Sequence, residues 1–265
     1  MDDDKHQEEV LCPNCKTMAS AAPEPNCLPE EWFERLPRLS AECLDRLHRP
    51  LVTVSYAQSV DGSIATRSRE QLRLSSHPSM VMTHRIRASS DAIVIGINTL
   101  MADDPQLTVR LISGTNPQPI VLDSKLRIPL QARLLSRTDR QCWLACTDEH
   151  DPKRANAVKS RGAELIPCRH NYRGMVDLDE LLHLLGQRGI RSIMVEGGSQ
   201  VITSFLEARL VDQLIITIAP RLVGGLPVLG RPAEVNGSLL GLDAVSYRSC
   251  GPDIILWAQP RWQAP

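Results

Sequence analysis

Ser192-Ile193-Met194-Val195-Glu196-Gly197-Gly198-Ser199-Gln200 is the stretch that decides the fold class of this chain. A short apolar run ends there in a carboxylate and two glycines, and a helical pattern follows. This order is typical of a parallel strand that passes directly into a helix, whose free N–H groups can hold a phosphate. Glu196 then lies at the carboxyl end of the strand, where open α/β sheets bind their ligands. An ordinary packing turn has the same composition, so both interpretations stay open at this point.

A second change from strand to helix occurs in residues 92–110, which read AIVIGINTLMADDPQLTVR. The apolar run Ala92–Gly96 predicts a strand that is covered on both faces. A helix is predicted to begin near Asn98, and an extended piece to close on Arg110. We expect the two strand-to-helix turns to face one ligand, although Asp103-Asp104-Pro105 also has the composition of a simple turn.

Strands and helices alternate from Leu51 onward. The best-supported helix begins at Asp177, where Glu180 completes the sequence pattern of a capping box. Its apolar stripe consists of Leu178, Leu181, Leu182 and Leu185. The predicted strands are Leu51–Ala57, Ala92–Gly96, Ile120–Leu122, Gln141–Thr147, Ala163–Ile166, Ser192–Val195, Gln213–Ala219, Ala244–Arg248 and Asp253–Trp257. This alternation predicts an α/β fold with a largely parallel sheet and helices on both faces.

The first part of the chain has a different composition, with many prolines and no glycine before Pro50. We interpret residues 1–49 as an N-terminal extension and residues 50–265 as one compact domain. The extension is predicted to be partly disordered and partly a docked amphipathic helix between Pro29 and His48.

The overall composition is that of a soluble protein, with 265 residues, 42% hydrophobic residues and a net charge of −1. There is no run of 18 apolar residues and no signal-peptide pattern after the charged start, so we expect a cytoplasmic protein without membrane contact. Nucleic acid is not an expected partner, because the charge is balanced and the chain has only four Trp, three Tyr and two Phe.

The eight cysteines are expected to be mainly free thiols in a chain without a secretory signal. Cys12 and Cys15 have the spacing of half a zinc site, and Cys27 and Cys43 could complete it. No histidine stands close enough to complete a familiar pattern, so no metal is predicted and zinc remains an open alternative. A zinc deaminase also needs an upstream His-x-Glu motif, which is absent here.

Six motifs in order resemble the riboflavin-biosynthesis reductase family, over about four fifths of the chain. The motifs are Tyr56-Ala57-Gln58-Ser59-Val60-Asp61-Gly62 with Ile64-Ala65; His84-Arg85-Ile86-Arg87-Ala88; Gly96-Ile97-Asn98-Thr99-Leu100 with residues 102–110; residues 119–129, PIVLDSKLRIP; Val195-Glu196-Gly197-Gly198; and Leu210-Val211-Asp212 leading to residues 218–225, IAPRLVGG.

The resemblance implies a dihydrofolate-reductase-like, three-layer fold with an antiparallel C-terminal edge. It implies an oxidoreductase of riboflavin biosynthesis that uses NADPH to reduce the ribosylamino side chain of a pyrimidine 5′-phosphate to its ribitylamino form. It also implies a homodimer formed through the part of the sheet that contains Gln213–Ala219.

The resemblance assigns site residues by motif. The cofactor residues it implies are Ala57, Thr99, Asp103, Ser124, Gly198, Ser199, Gln200, Val201, Ile202, Thr203 and Ser204. The substrate residues it implies are Arg87, Leu107, Arg110 and Glu196, with Glu196 as the catalytic candidate. Two arginines suit a phosphate, although a solvated helix arginine at Arg87 and a strand-end surface charge at Arg110 are the plainer interpretations.

One residue departs from the pattern of the bacterial two-domain enzymes, which usually carry a lysine where this chain has Ser55. That difference, and the lack of a fused deaminase domain, makes the chain similar to the stand-alone archaeal and fungal type. The expected substrate is therefore 2,5-diamino-6-ribosylamino-4(3H)-pyrimidinone 5′-phosphate, with 5-amino-6-ribosylaminouracil 5′-phosphate as the alternative. A reductase of another heterocycle and a non-enzymatic nucleotide-binding paralogue also stay open.

Overall fold

The computed structural model describes residues 29–68, 70, 72–229, 234–235 and 238–262. The helices are α1 (Glu30–Leu47), α2 (His77–Ala88), α3 (Ile97–Asp103), α4 (Pro152–Ser160), α5 (Leu178–Gln187) and α6 (Ser199–Glu207). The strands are β1 (Leu51–Ser59), β2 (Ser63–Ala65), β3 (Ala92–Gly96), β4 (Gln118–Leu122), β5 (Trp143–Cys146), β6 (Glu164–Pro167), β7 (Ser192–Val195), β8 (Gln213–Ala219), β9 (Leu226–Pro227), β10 (Glu234–Val235), β11 (Ser238–Leu239), β12 (Leu242–Cys250) and β13 (Asp253–Pro260). A 3-10 helix spans Arg133–Ser136.

A nine-stranded sheet forms the centre of the molecule, in the order β12-β13-β8-β1-β7-β3-β4-β5-β6. The strands from β8 to β6 in this order all pair in parallel. β13 and β12 pair antiparallel and form the edge beyond β8. The predicted α/β fold, with a mostly parallel sheet and an antiparallel C-terminal edge, is confirmed.

Helices cover both faces of the sheet, as the unbroken apolar strands require. Helices α5 and α6 pack on one face, where Leu181, Leu185 and Phe205 are fully buried. The opposite face is covered by α3 and α4 over one part of the sheet and by α1 and α2 over the other. The core thus lies in two layers on either side of the sheet.

The predicted strands are all present, and three of them have the predicted bounds: β3, β7 and β8. The predicted capping box at α5 is only half formed. The Asp177 carboxylate accepts hydrogen bonds from the N–H groups of Asp179 and Glu180 at 3.0 and 3.2 Å. The Glu180 carboxylate instead accepts the N–H of Arg169, and Asp177 donates its own N–H to the Arg169 carbonyl. The preceding loop therefore replaces the second half of the box.

Helix α1 is confirmed and packs on the sheet through Trp32, Leu36 and Cys43, all of them buried. Burial follows one face of the helix, and Leu47 at its end is exposed. Just beyond the helix, the Arg49 guanidinium binds both oxygens of Asp212 at 2.7 and 2.9 Å. The domain boundary after residue 49 stays a prediction, and the N-terminal part of the proposed extension lies outside the described residues.

The cysteines differ from the sequence expectation at one position. Cys43, Cys142, Cys146 and Cys168 are buried free thiols. Cys250, however, is disulfide-bonded. Burial, followed by the charge of Asp212, raises the pKa of the Cys43 thiol to about 11. Cys12, Cys15 and Cys27 lie outside the described residues. None of the described helices has the length and apolarity to cross a membrane.

Candidate active site

The predicted site residues gather at the carboxyl edge of the parallel strands. Glu196 follows β7 directly, and Ser124 follows β4 after one residue. Helices α3 and α6 begin at the same edge, directly after β3 and shortly after β7. Ala57 lies near the end of β1, paired with Thr217 of β8. Because parallel strands end at one edge of a sheet, residues distant in sequence are brought together there.

Arg87 and Glu196 form a bidentate ion pair at this edge. Arg87 Nε donates to Glu196 Oε1 at 2.6 Å, and Nη2 donates to Oε2 at 2.6 Å. The side chains are only 12% and 18% exposed. Burial alone would lower the pKa of Arg87, but the charge and hydrogen bonds of Glu196 raise it overall. The interpretation of Arg87 as a solvated helix residue is wrong, because this arginine is held against the end of a strand.

The segment from Leu107 to Arg110 lies beside this pair and is not a strand. In the interpretation of Arg110 as a strand-end surface charge, the strand is therefore wrong, whereas the surface position agrees with the structure. Arg87 Nη1 donates to the Thr108 carbonyl at 3.2 Å, and the Val109 N–H donates to Asn116 Oδ1 at 2.7 Å. Leu107 is buried and has a φ of 52°, a left-handed conformation that a leucine rarely adopts. The Arg110 side chain is exposed at the edge of the site.

His84 also belongs to this cluster, although it is not among the site residues that the resemblance assigns. It is 3% exposed, and its Nδ1 accepts the Arg110 N–H at 3.0 Å. Burial, followed by the positive charges of Arg87 and Arg110, lowers the pKa of His84 to about 4. The imidazole is therefore neutral near pH 7, as an acceptor at Nδ1 requires. The available signal was its position three residues before Arg87 in a helix, since such neighbours share a face.

The start of α6 forms the other half of the site. The Gly198 N–H donates to Thr99 Oγ1 at 3.3 Å, and Asn98 Nδ2 donates to Gln200 Oε1 at 3.1 Å. These contacts tie the start of α3 to the start of α6. The first turn of α6 contains no acidic residue, and the first N–H groups of any helix have no partner within the helix. The arrangement can accept an anion.

The two glycines before α6 have different roles. A Cβ on Gly197 would lie 2.6 Å from Val201 Cβ, so this glycine makes room for the helix. A Cβ on Gly198 would meet nothing closer than Thr99 Oγ1 at 3.6 Å. Val201 and Ile202 point into the core, and Ser204 donates its hydroxyl to the Gln200 carbonyl at 2.8 Å. Of the predicted segment from Gly198 to Ser204, the first turn is thus the part that is open to a ligand.

The loop after β4 carries the remaining predicted cofactor residue. Ser124 is buried, and its hydroxyl accepts the Val176 N–H at 3.1 Å. Lys125 and Arg127 are exposed on the same loop. The fully buried Asp123 accepts the Ile128 N–H at 2.8 Å, and burial raises the pKa of its carboxyl group. Arg154 of α4 donates to the carbonyls of Leu126 and Ile128. These contacts therefore fix the loop on its buried side, while Lys125 and Arg127 are exposed to solvent.

Two further aspartates lie on segments next to predicted site residues, Asp103 in α3 and Asp61 in the turn after β1. Asp103 ends α3, and burial raises the pKa of its carboxyl group. Asp61 accepts the N–H groups of Val223 and Gly224 at 3.0 and 2.6 Å and the hydroxyl of Ser59 at 2.5 Å. The Ser59 bond first and then these backbone bonds lower the pKa of Asp61. Asp61 thus joins the turn after β1 to the loop after β8.

Comparison with known proteins identifies several similar chains. The family model of the RibD C-terminal domain matches residues 50–256. The chain is 38% identical over 187 residues to the 2,5-diamino-6-ribosylamino-4(3H)-pyrimidinone 5′-phosphate reductase of Archaeoglobus fulgidus, covering 67% of this chain and 83% of that protein. It is 32% identical over 212 residues to the riboflavin biosynthesis protein RibD of Actinobacillus pleuropneumoniae, covering 78% of this chain but only 56% of that protein.

A solved structure also resembles the chain. The riboflavin biosynthesis reductase of Saccharomyces cerevisiae superposes with a TM-score of 0.63 at 26% identity, covering 86% of this chain and 100% of that one. The family-model match to residues 50–256 includes every site residue described above.

Proposed function

This chain belongs to the RibD C-terminal domain family, and we propose that it uses NADPH to reduce a ribosylamino-pyrimidine 5′-phosphate to the ribitylamino compound. Its relatives are named as reductases of riboflavin biosynthesis, so it is an oxidoreductase of that family. The observation that supports the proposal is that the start of α6 and the exposed Arg110, beside the Arg87–Glu196 ion pair, lie at one sheet edge. The start of α6 can hold an anion through its N–H groups, and Arg110 can do so through its side chain, because the charge of Arg87 is already balanced by Glu196.

The chain's residues fit a nicotinamide dinucleotide. The open first turn of α6 can receive a phosphate of the cofactor, since Gly198 leaves room above it. The exposed Lys125 and Arg127 suit the additional 2′-phosphate that distinguishes NADPH from NADH. We expect Thr99, Asp103 and Ala57 of β1 to contact the same cofactor. When bound, NADPH supplies the hydride.

The substrate half suits a sugar phosphate joined to a polar ring. Opening of the ribosylamino group gives an imine at C1′, which accepts a hydride at carbon and a proton at nitrogen. Arg110 is exposed and free to bind the phosphate, while Arg87 is held in place by Glu196. Glu196 can accept hydrogen bonds from amino or hydroxyl groups of the substrate. The role of these residues is to bind the imine and hold its C1′ against the cofactor.

The diamino-pyrimidinone is the proposed substrate, and the amino-uracil is the alternative. Ser55 supports the first choice, because it stands where the bacterial two-domain enzymes usually have lysine. Relatives from Archaeoglobus fulgidus, Aquifex aeolicus and Debaryomyces hansenii that are 35–38% identical are named for the diamino-pyrimidinone. The RibD relatives are also 30–33% identical, so the substrate needs a direct test.

We also propose a homodimer. β8 lies inside the sheet between β1 and β13, so it cannot itself pair with a second chain. The edge strand β12 exposes Tyr247 and Val245, and the adjacent β13 exposes Ile254. Among the described strands β12 is the edge of the sheet, and an apolar surface at a strand edge favours a twofold contact with a second copy. A dimeric mass by light scattering at micromolar concentration is the expected result, and a monomeric mass would contradict it. We further expect a cytoplasmic enzyme, because NADPH and a phosphorylated pyrimidine are charged metabolites of that compartment.

The decisive experiment is an assay of NADPH oxidation with each pyrimidine offered separately. We expect reduction of the diamino compound with a higher kcat/KM than of the uracil, and the ribitylamino product by mass spectrometry. Oxidation with the uracil alone would reverse the choice of substrate. No oxidation with either compound by folded protein, as judged by circular dichroism, would contradict the proposed function and favour a binding paralogue.

A further inference from the structure

The segment that carries Arg110 is held by side chains rather than by a strand partner. Thr108 offers its carbonyl to Arg87, Val109 offers its N–H to Asn116, and Arg110 offers its N–H to His84. Three consecutive residues are therefore fixed by three side chains from elsewhere in the chain. Two of those side chains, His84 and Arg87, lie one turn apart on α2.

We propose that His84 is a positioning residue for the sugar-phosphate site, acting through the backbone of Arg110. Its Nδ1 is the acceptor that fixes the amide of Arg110, and so fixes the point from which the Arg110 side chain reaches toward a phosphate. The inference rests on the proposed function only in that the ligand is a sugar phosphate. His84 itself is predicted to touch neither substrate nor cofactor.

The bond has ordinary length, and its acceptor is shielded from solvent. Its length is 3.0 Å, and the imidazole is almost fully buried. A partly buried N–H that loses its acceptor carries a cost of desolvation, and the segment is then held less firmly. The left-handed conformation of Leu107 places a strained residue at the start of the same segment, so the segment depends on the side chains that hold it.

Two substitutions separate positioning from simple packing. His84→Asn keeps an acceptor, since the amide oxygen of asparagine occupies nearly the place of Nδ1. His84→Leu introduces an apolar side chain of similar size that has no hydrogen-bond acceptor. His77→Leu is the matched control, because His77 is exposed at the start of the same helix. Arg110→Gln is the positive control for loss of the phosphate contact.

The readout is the affinity for ribose 5-phosphate by calorimetry, with saturating NADP⁺ present so that the cofactor's own phosphate sites are filled. We expect His84→Leu to weaken binding about tenfold, Arg110→Gln to weaken it at least as much, and His84→Asn and His77→Leu to stay within threefold of the wild type. In the reductase assay, His84→Leu should raise the KM for the pyrimidine by a similar factor and leave the KM for NADPH and kcat within threefold.

The outcomes separate this inference from the proposed function. Equal affinity of His84→Leu and wild type would overturn the positioning role, and so would a loss in His84→Asn as large as in His84→Leu. Wild-type protein that does not bind ribose 5-phosphate would overturn it as well. If the wild type binds the sugar phosphate in the expected order of variants yet reduces neither pyrimidine, the inference stands and the proposed function fails.

Discussion

The two halves of the candidate site are built in different ways. In the substrate half, side chains supply the contacts: Glu196 pairs with Arg87, and His84 accepts the backbone N–H of Arg110. In the cofactor half, the open groups belong to the backbone at the start of α6, and the nearby side chains make only single hydrogen bonds between α3 and α6. The comparison shows that one sheet edge can present both a side-chain network and a backbone cradle.

This difference decides which substitutions should matter. A single change in the side-chain network leaves a partner buried without its counter-charge, so its effect should be large. A change beside the N–H groups at the start of α6 alters only the space in which a cofactor phosphate would lie. We therefore expect a smaller effect, limited to the affinity for the cofactor. The following four tests probe this contrast.

The largest effect is expected for Glu196→Gln, which removes the counter-charge of Arg87. We expect kcat/KM to fall about 100-fold, equivalent to about 2.7 kcal/mol, with the fold retained. Steady-state kinetics and thermal unfolding are the measurements, and Glu34→Gln on the exposed face of α1 is the control. Unchanged kinetics with intact stability would remove Glu196 from the site.

A smaller effect is expected for Gly198→Ala, which adds a methyl group over the start of α6. Its Cβ has no neighbour closer than 3.6 Å, so stability should be nearly unchanged while the Kd for NADPH rises about tenfold. Gly197→Ala should do the reverse, because its Cβ would lie 2.6 Å from Val201, and overpacking costs about 1–3 kcal/mol. NADPH titration and denaturant unfolding of both variants test this contrast. If both variants change stability and NADPH affinity in the same way, the two glycines do not have separate roles in packing and binding.

A weaker effect is expected for Arg127→Gln on the loop after β4. The wild type should bind NADPH more tightly than NADH, and the variant should lose about fivefold of that preference, because an exposed cation beside a phosphate is screened by solvent. Fluorescence titrations with both cofactors measure the ratio, with the exposed Arg140→Gln as control. Equal wild-type affinities for NADPH and NADH would show that Lys125 and Arg127 do not bind the 2′-phosphate.

The smallest effect on chemistry is expected for Trp32→Ala in α1. Trp32 is buried against the sheet with Leu36 and Cys43 and is not among the proposed site residues, so kcat/KM should stay within about threefold, less than about 1 kcal/mol. Stability should nonetheless fall by about 3 kcal/mol through loss of the buried ring. Urea unfolding and the reductase assay distinguish the two results. A tenfold loss of kcat/KM in folded protein would mean that α1 contributes to the site.

Much of the fold could be predicted from the sequence because its signals are local. The apolar runs of β3, β7 and β8 have the lengths and flanking residues of buried strands, and their bounds were found. The apolar stripe of α5 and its cap at Asp177 are likewise local. The second half of the predicted capping box is not formed, because the Glu180 carboxylate accepts the N–H of a loop residue, Arg169, instead of the N–H of Asp177.

The sequence alone determined the parallel sheet, the carboxylate of Glu196 at a strand end, and the helix that starts after Gly198, because hydrophobic periodicity and glycine placement act between neighbours in the chain. Only the tertiary structure decided that Gly197 serves packing, that Ser124 faces inward, and that Arg87 pairs with Glu196. It also made His84 part of the site. Burial and ion pairing depend on residues about 100 positions apart that meet at one sheet edge. No local sequence pattern specifies which side chains will face each other there.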